Sequence, residues 1–322
     1  MGDFYLGIDL GGTKIMSALA NEEGKILESL KTPTEADGGE KKVINNIINS
    51  IIILLGKLSL DKSQVGGIGI CSPGLLNTAE GIIYESSNIP WKNVKIVKIL
   101  EDELKIPVFL ENDANAAALA ESNFGAGFNY KNMIYITVST GIGGGIVIDN
   151  KLYHGANNNA GEIGHMTVVP DGPLCGCGNH GCFEAVASGT ALKRMAIDGL
   201  DKNQDSLINK LSEARSEEID GKLIALAARK GDEFALRLFK RLAYYLGIGL
   251  ANLINIFNPE LIVLGGGVMK SYDFFWDEMK NNIERRALSV SLKELEIVRS
   301  KFEDDSGVMG ALTVAINKNK LT

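Results

Sequence analysis

The chain is 322 residues long and carries 33 Lys and Arg against 40 Asp and Glu, a formal net charge of −7. An acidic balance without a basic run speaks against nucleic acid or an anionic membrane surface as the main partner, and 45% apolar residues exclude a chain that is disordered throughout. The length suits two domains, and no run of 18 apolar residues is present to span a membrane. The N-terminus, Met-Gly-Asp-Phe-Tyr-Leu, lacks the basic region of a secretory signal and runs straight into a strand pattern, so a cytoplasmic location is expected.

From Phe4 to Leu30 the pattern predicts strand, Gly-rich turn at Gly11-Gly12, strand, turn and strand, an antiparallel meander. Apolar residues at helical spacing (Val43, Ile44, Ile47, Ile48, Ile51, Leu54, Leu55) predict a helix over 39–58, followed by a buried strand over 65–71. A helix over 93–104, a strand over 106–110 and an Ala-rich helix over 112–124 complete a first α/β unit. The order then restarts, with strands over 133–138 and 146–149 flanking a second Gly-rich turn. Helices over 223–229 and 233–256, a strand over 261–264, a helix over 272–288 and a last helix from Ser306 follow. The expected division is a first lobe over 1–122, completed by the C-terminal helix 306–322, and a second over 123–305.

Asp9, Gly11, Gly12, Thr13 and Lys14 lie in the first Gly-rich turn, and Thr140, Gly141 and Gly143 in the second. Glycine there lets backbone amides approach a phosphate, and Asp9 is placed to hold a hydrated Mg²⁺; each turn also reads as an ordinary hairpin. Gly265, Gly266 and Gly267 follow a buried strand, where ligands bind at carboxyl ends. Cys71-Ser72-Pro73-Gly74 ends another strand with a sharp turn: Cys71 reads as a packed core thiol, and Gly74 is a substrate-binding candidate. In Glu111-Asn112-Asp113, Asn and Asp suit a helix cap, and Asp113 is equally placed to accept the proton of an attacking hydroxyl while Asn112 holds a neighbouring one.

Three of the four cysteines, Cys175, Cys177 and Cys182, fall within eight positions, ten residues after His165. Three thiolates and one imidazole form a tetrahedral set for a closed, structural Zn²⁺. His180 competes with His165 for the fourth place, and spacing alone leaves both open. Glu162 and Glu184 flank the cluster, and carboxylates fixed there can accept hydrogen bonds from a polyol.

Together these motifs resemble the ROK family of sugar kinases, within the actin-like and hexokinase-like ATPases. The most specific stretch is Gly161-Glu162-Ile163-Gly164-His165 with Cys175-Gly176-Cys177-Gly178 and Gly181-Cys182-Phe183-Glu184. The resemblance implies two actin-like (ribonuclease H-like) α/β lobes with a ligand cleft between them and a zinc-binding loop over 161–184. It implies Zn²⁺ on His165, Cys175, Cys177 and Cys182, and a sugar held by Asn112, Asp113, Glu162, His165 and Glu184, which favours His165 over His180. Asp113 is implied as the base. Asp9 to Lys14 and Thr140 to Gly145 are implied to hold the phosphates of ATP with Mg²⁺, and Gly265 to Gly267 to lie by the adenosine. The run over 161–195 is most similar to bacterial and archaeal glucokinases, implying ATP-dependent phosphorylation of the glucose 6-hydroxyl. N-acetylmannosamine kinase, fructokinase and a non-catalytic sugar sensor are the alternatives. Family members commonly assemble, so a homodimer or homotetramer is expected.

Overall fold

The computed structural model describes residues 3–86, 88–215 and 218–319, so residues 320–322 of the expected C-terminal helix lie outside the described residues. The chain divides into two compact units. One comprises Met1–Tyr135, Gly145–Gly161 and Ser300–Thr322, and the other Ile136–Gly144 and Glu162–Arg299.

The predicted meander forms as β1 (Phe4–Leu10), β2 (Lys14–Asn21) and β3 (Ile26–Pro33), followed by α1 (Glu40–Lys57) and β4 (Val65–Ser72). A small antiparallel sheet of β5 (Leu75–Asn77), β6 (Ile82–Glu85) and β7 (Lys92–Val94) comes next, and then α2 (Ile96–Leu104), β8 (Val108–Asn112) and α3 (Asp113–Phe124). The helix expected from Asn93 starts only at Ile96, because Asn93 takes a left-handed φ of 55° and its neighbours pair with β6. The main sheet runs β3-β2-β1-β4-β8, with β1, β4 and β8 parallel.

The second five-stranded sheet, in the order β11-β10-β9-β12-β13, uses β9 (Met133–Val138), β10 (Ile142–Ile148) and β11 (Lys151–Leu152), later joined by β12 and β13. Helices α4 (Phe183–Ala187), α5 (Gly189–Leu200) and α6 (Leu207–Arg215) had no predicted counterpart. The expected α7 (Gly221–Arg229) and α8 (Glu233–Phe257) lead to β12 (Leu261–Gly265). Instead of one helix over 272–288, a 3-10 segment Gly267–Phe274, kinked at Ser271, precedes α9 (Trp276–Glu284); the non-helical φ of −142° at buried Phe275 separates them. A parallel edge strand, β13 (Glu296–Arg299), and α10 (Ser306–Asn319) end the chain.

Strand alternation places Leu6, Ile8, Leu10, Ile68 and Ile70 on one face of the first sheet, against Ile47, Ile51 and Leu54 of α1 and Leu100 of α2. The other face carries Tyr5 and Ala18, against Ala120 of α3 and Val308, Leu312 and Ile316 of α10. β4 turns Ile68 and Ile70 to the first face and Gly69 to this one, where α10 lies almost on the backbone and a Cβ on Gly69 would collide with the Ala311 carbonyl oxygen.

The chain end is tied down by a buried carboxylate. Glu121 of α3 is fully buried; its Oε1 accepts from Ser300 Oγ at 2.6 Å and the Lys301 amide at 2.8 Å, and Oε2 from the Ala126 amide at 2.8 Å. Removing it strands buried donors, at about 1–3 kcal/mol each. Glu121→Ala is therefore expected to lose about 3 kcal/mol or more in urea unfolding; a loss below about 0.5 kcal/mol would show that water replaces the carboxylate at no cost.

Candidate active site

In the first unit the parallel strands β1, β4 and β8 end together. Asp9 is in register with Cys71, Cys71 with Glu111, and Ser72 with Asn112, which gathers carboxylates and amides at the carboxyl edge of the sheet. Burial pushes the Asp9 carboxyl above the usual carboxylate range, with the Lys14 charge and the Cys71 thiol acting in the opposite sense. Its Oδ2 lies where a Cβ on Gly307 would stand, 2.5 Å away, so the first turn of α10 has room for the carboxylate only because that residue is glycine. Cys71 is fully buried, as its sequence context predicts, and its Sγ is 3.2 Å from the Gly307 carbonyl oxygen. Burial, then the charges of Asp9 and Asp113, hold this thiol well above its ordinary value.

The turn after β1 is closed by the Gly11 amide donating to the Lys14 carbonyl at 3.1 Å and by Thr34 Oγ1 donating to the Gly11 carbonyl at 2.6 Å. Gly12 backs directly onto Asn88, whose carbonyl oxygen is 2.6 Å from the position of a Gly12 Cβ. Gly74 has a φ of 115°, in the left-handed region that favours glycine, and a Cβ there would meet the Glu85 carbonyl oxygen at 2.2 Å.

Asn112 caps α3: its Oδ1 accepts from the Ala114 and Asn115 amides at 3.0 and 3.2 Å. Its Nδ2 has no partner among the described residues and is available as a donor. Asp113 opens the helix, with Oδ1 accepting from the Ala114 amide at 2.8 Å. The cap expected of this triplet is thus present, and it comes from Asn112. Behind them Glu111, 3% exposed, accepts from the Asn112 amide at 3.0 Å and faces His154 Nε2 at 2.8 Å.

In the second unit the Gly-rich turn after β9 is pinned on two sides. The Gly189 amide donates to the Ser139 carbonyl at 2.7 Å and the Thr190 amide to the Thr140 carbonyl at 3.2 Å, fixing the turn to the start of α5. On its other side Glu184 Oε2 accepts from the Ile142 amide at 2.9 Å, and a Cβ on Gly141 would collide with that same oxygen. A cavity of about 610 Å³ opens beside the turn, with Ser139, Thr140, Thr190, Lys193, Gly267 and Val268 in its wall. Gly266, φ 92°, turns the chain at the end of β12 against Val138 so that Gly267 reaches this wall. Gly143 lies in β10, and Gly265 ends β12.

The ligand atoms of His165, Cys175, Cys177 and Cys182 all lie within 4.8 Å of one another. Cys177 and Cys182 Sγ are 3.7 Å apart, as are Cys175 Sγ and His165 Nδ1. Sulfurs at about 2.3 Å from a tetrahedral zinc are about 3.8 Å apart, so the donor set fits that ion. His180 stands outside the group, with Nδ1 at 2.9 Å from the Gly172 carbonyl. Burial pushes the Cys182 thiol up to about 12 and Cys175 upward as well; a cation is what would make both thiolates at neutral pH. The loop is anchored beyond the cluster by Phe183, fully buried against Gly249 of α8. His165 Nε2 is 3.8 Å from the exposed Glu162 Oε2, so the imidazole has one nitrogen on the cluster and the other toward a carboxylate.

The sequence pointed to Thr140 and Gly267 of the cavity wall but not to its other residues, and only weakly to His154. His154 is one of only three histidines, the one available hint, but its partner lies 43 positions away. Thr190, Lys193 and Val268 read as ordinary helix and turn positions until α5 and the 267–274 segment face one space.

Comparison with known proteins follows the same outline. The sequence profile of the ROK family matches residues 5–318. The glucokinase of Halalkalibacterium halodurans is 40% identical over 308 residues, covering 95% of this chain and 93% of that one. The crystal structure of the ROK hexokinase from Thermus thermophilus has a TM-score of 0.83 at 34% identity, covering 99% of this chain and 100% of that chain. A ROK family glucokinase from Streptomyces griseus, solved in complex with glucose and AMPPNP, gives 0.81 at 34% identity, covering 96% of this chain and 98% of that chain.

Proposed function

The chain belongs to the ROK family, and on that premise we propose that it is an ATP-dependent glucokinase transferring the γ-phosphoryl group to the glucose 6-hydroxyl. The observation that carries this reading is a likeness to glucokinases that runs over nearly the whole chain, and so over both units. In this reading Asp113 takes the proton of the attacking hydroxyl. Asn112 donates through its unpartnered Nδ2 to an adjacent sugar oxygen, and Glu162, His165, Glu184 and the backbone at Gly74 complete the sugar contacts. Thr140, Gly141, Gly143 and the turn from Gly11 to Lys14 present amides and a cation to the phosphates, and Asp9 would hold the water shell of Mg²⁺, which when bound neutralises phosphate charge. The cavity beside Thr140 takes the adenosine, with Gly267 in its wall and Gly265 and Gly266 leading the chain to it.

His165, Cys175, Cys177 and Cys182 would hold a structural Zn²⁺ with all four positions filled by protein, which leaves no open position for activating water. Its contribution is stability and the placement of Glu162 and Glu184. The enzyme is cytoplasmic and assembles as a homodimer or homotetramer, a state that light scattering measures directly.

The test is ATP-dependent phosphorylation of glucose, N-acetylmannosamine, N-acetylglucosamine, mannose and fructose. Glucose is expected to lead in kcat/KM by at least about tenfold, equivalent to about 1.4 kcal/mol in the transition state. A lead by another hexose overturns the substrate assignment and leaves the kinase; no turnover with any of them, despite bound nucleotide, overturns the kinase.

A further inference from the structure

Glu111 takes no part in the reaction as described, yet it is the most deeply buried residue of the Glu111-Asn112-Asp113 triplet. Both of its oxygens are committed. Oε1 accepts from the Asn112 amide at 3.0 Å and from Asn115 Nδ2 at 3.2 Å, while Oε2 lies 2.8 Å from His154 Nε2. The Glu111 carboxylate facing Nε2 favours the protonated ring, and the backbone of Leu152 acts in the same sense. The His154 side chain is 30% exposed, which leaves the ring in proton exchange with solvent, whereas the Glu111 side chain, at 4%, is not. The other charged group acting on the ring is Lys318 near the end of α10, which opposes protonation.

We propose that His154, as the imidazolium, and Glu111 form a positioning pair that holds the Asn112–Asp113 turn in its working geometry, and that loss of the His154 proton lowers turnover. The inference rests on Asp113 being the base. A buried carboxylate that loses its cation must find a proton or water. Here the same carboxylate holds the amide of the capping residue, so its displacement passes directly to Asn112 and to the base beside it. Small displacements of a reacting group are costly in rate. The hydrogen bond that His154 makes to Glu111 raises its pKa above the ordinary 6.5, so the charged pair is lost as pH rises through the raised value.

The experiment is kcat and KM for glucose between about pH 6 and 9 in wild type, His154→Gln, Glu111→Gln and Asp113→Asn. Wild-type kcat is expected to fall as pH rises above the ordinary histidine range, with KM nearly constant. In His154→Gln, kcat is at least about threefold lower near pH 6.5 and that fall is absent. In Glu111→Gln the fall moves to lower pH, because the partner that favours the charged ring has gone. Thermal unfolding over the same range supplies a second readout. The stability lost in His154→Gln is largest below about pH 6.5 and fades as pH rises through the folded-state value. Profiles of wild type and His154→Gln that fall in parallel, with Asp113→Asn inactive, overturn the pair and leave the base assignment intact. Full turnover in Asp113→Asn overturns the base assignment instead.

Discussion

Replacing Asp113 by Asn is expected to lower kcat for glucose by about 10²–10⁴, the usual contribution of a positioned general base, or about 3–5 kcal/mol of barrier. The substitution keeps side-chain volume and keeps an Oδ1 that can accept from the Ala114 amide, now 2.8 Å away. The start of α3 therefore survives, as does its cap, which comes from Asn112 rather than from Asp113. Unfolding midpoint and glucose Kd should stay close to wild type, within about 0.5 kcal/mol each. The neighbouring thiol offers no substitute base: Cys71 is fully buried, and burial with two nearby carboxylates keeps it protonated. Equal kcat in wild type and Asp113→Asn would reject the assignment; a collapse of Tm together with kcat would instead mark Asp113 as a structural residue.

Removal of the proposed zinc is the second large expected effect. Binding to the folded state alone stabilises by about 4 kcal/mol at a thousandfold excess over Kd, and a domain of about 150–250 residues shifts in Tm by about 2–4 °C per kcal/mol. Chelation is therefore expected to lower Tm by about 10 °C, and added zinc should restore it. Ligand affinity should fall with it, for a reason visible in the loop. Cys182 immediately precedes α4, whose second residue, Glu184, accepts from the Ile142 amide at 2.9 Å, while His165 faces Glu162. Release of the cluster loosens both carboxylates and the turn at 140–142 at once. Glucose Kd is expected to weaken at least about tenfold, and AMPPNP Kd to weaken as well. Calorimetry on metal-free protein below its lowered Tm checks this. An unaltered glucose Kd would reduce the cluster to a staple with no part in binding.

Most of the first unit was legible along the chain because its elements announce themselves locally. The meander has alternating strands and Gly-rich turns, and α1 repeats isoleucine and leucine at helical spacing. The Cys3His group was legible for the same reason, with three of its four ligands inside eight residues. The choice between His165 and His180 was not, because both lie near the cysteines in sequence, and only the path of the loop turns His180 toward the Gly172 carbonyl. The start of α2 and the break before α9 were misjudged where one residue's backbone, Asn93 or Phe275, overrides a pattern that would suit a helix.

Local composition was therefore enough to point to the candidate residues: glycine turns, a carboxylate at a helix start and a thiol-rich loop declare themselves in runs of a few residues. Their mutual support came from packing over long separations. Glu111 meets His154 across 43 positions, Glu184 reaches Ile142 across 42, and Glu121 holds Ser300 across 179. Nothing in such a separation leaves a periodic trace, because a side chain's propensity reports its own backbone and not the partner that folding brings to it. The three carboxylates look alike as letters. Burial and the donors around each make one the partner of a histidine, one the prop of a turn and one the anchor of the chain end.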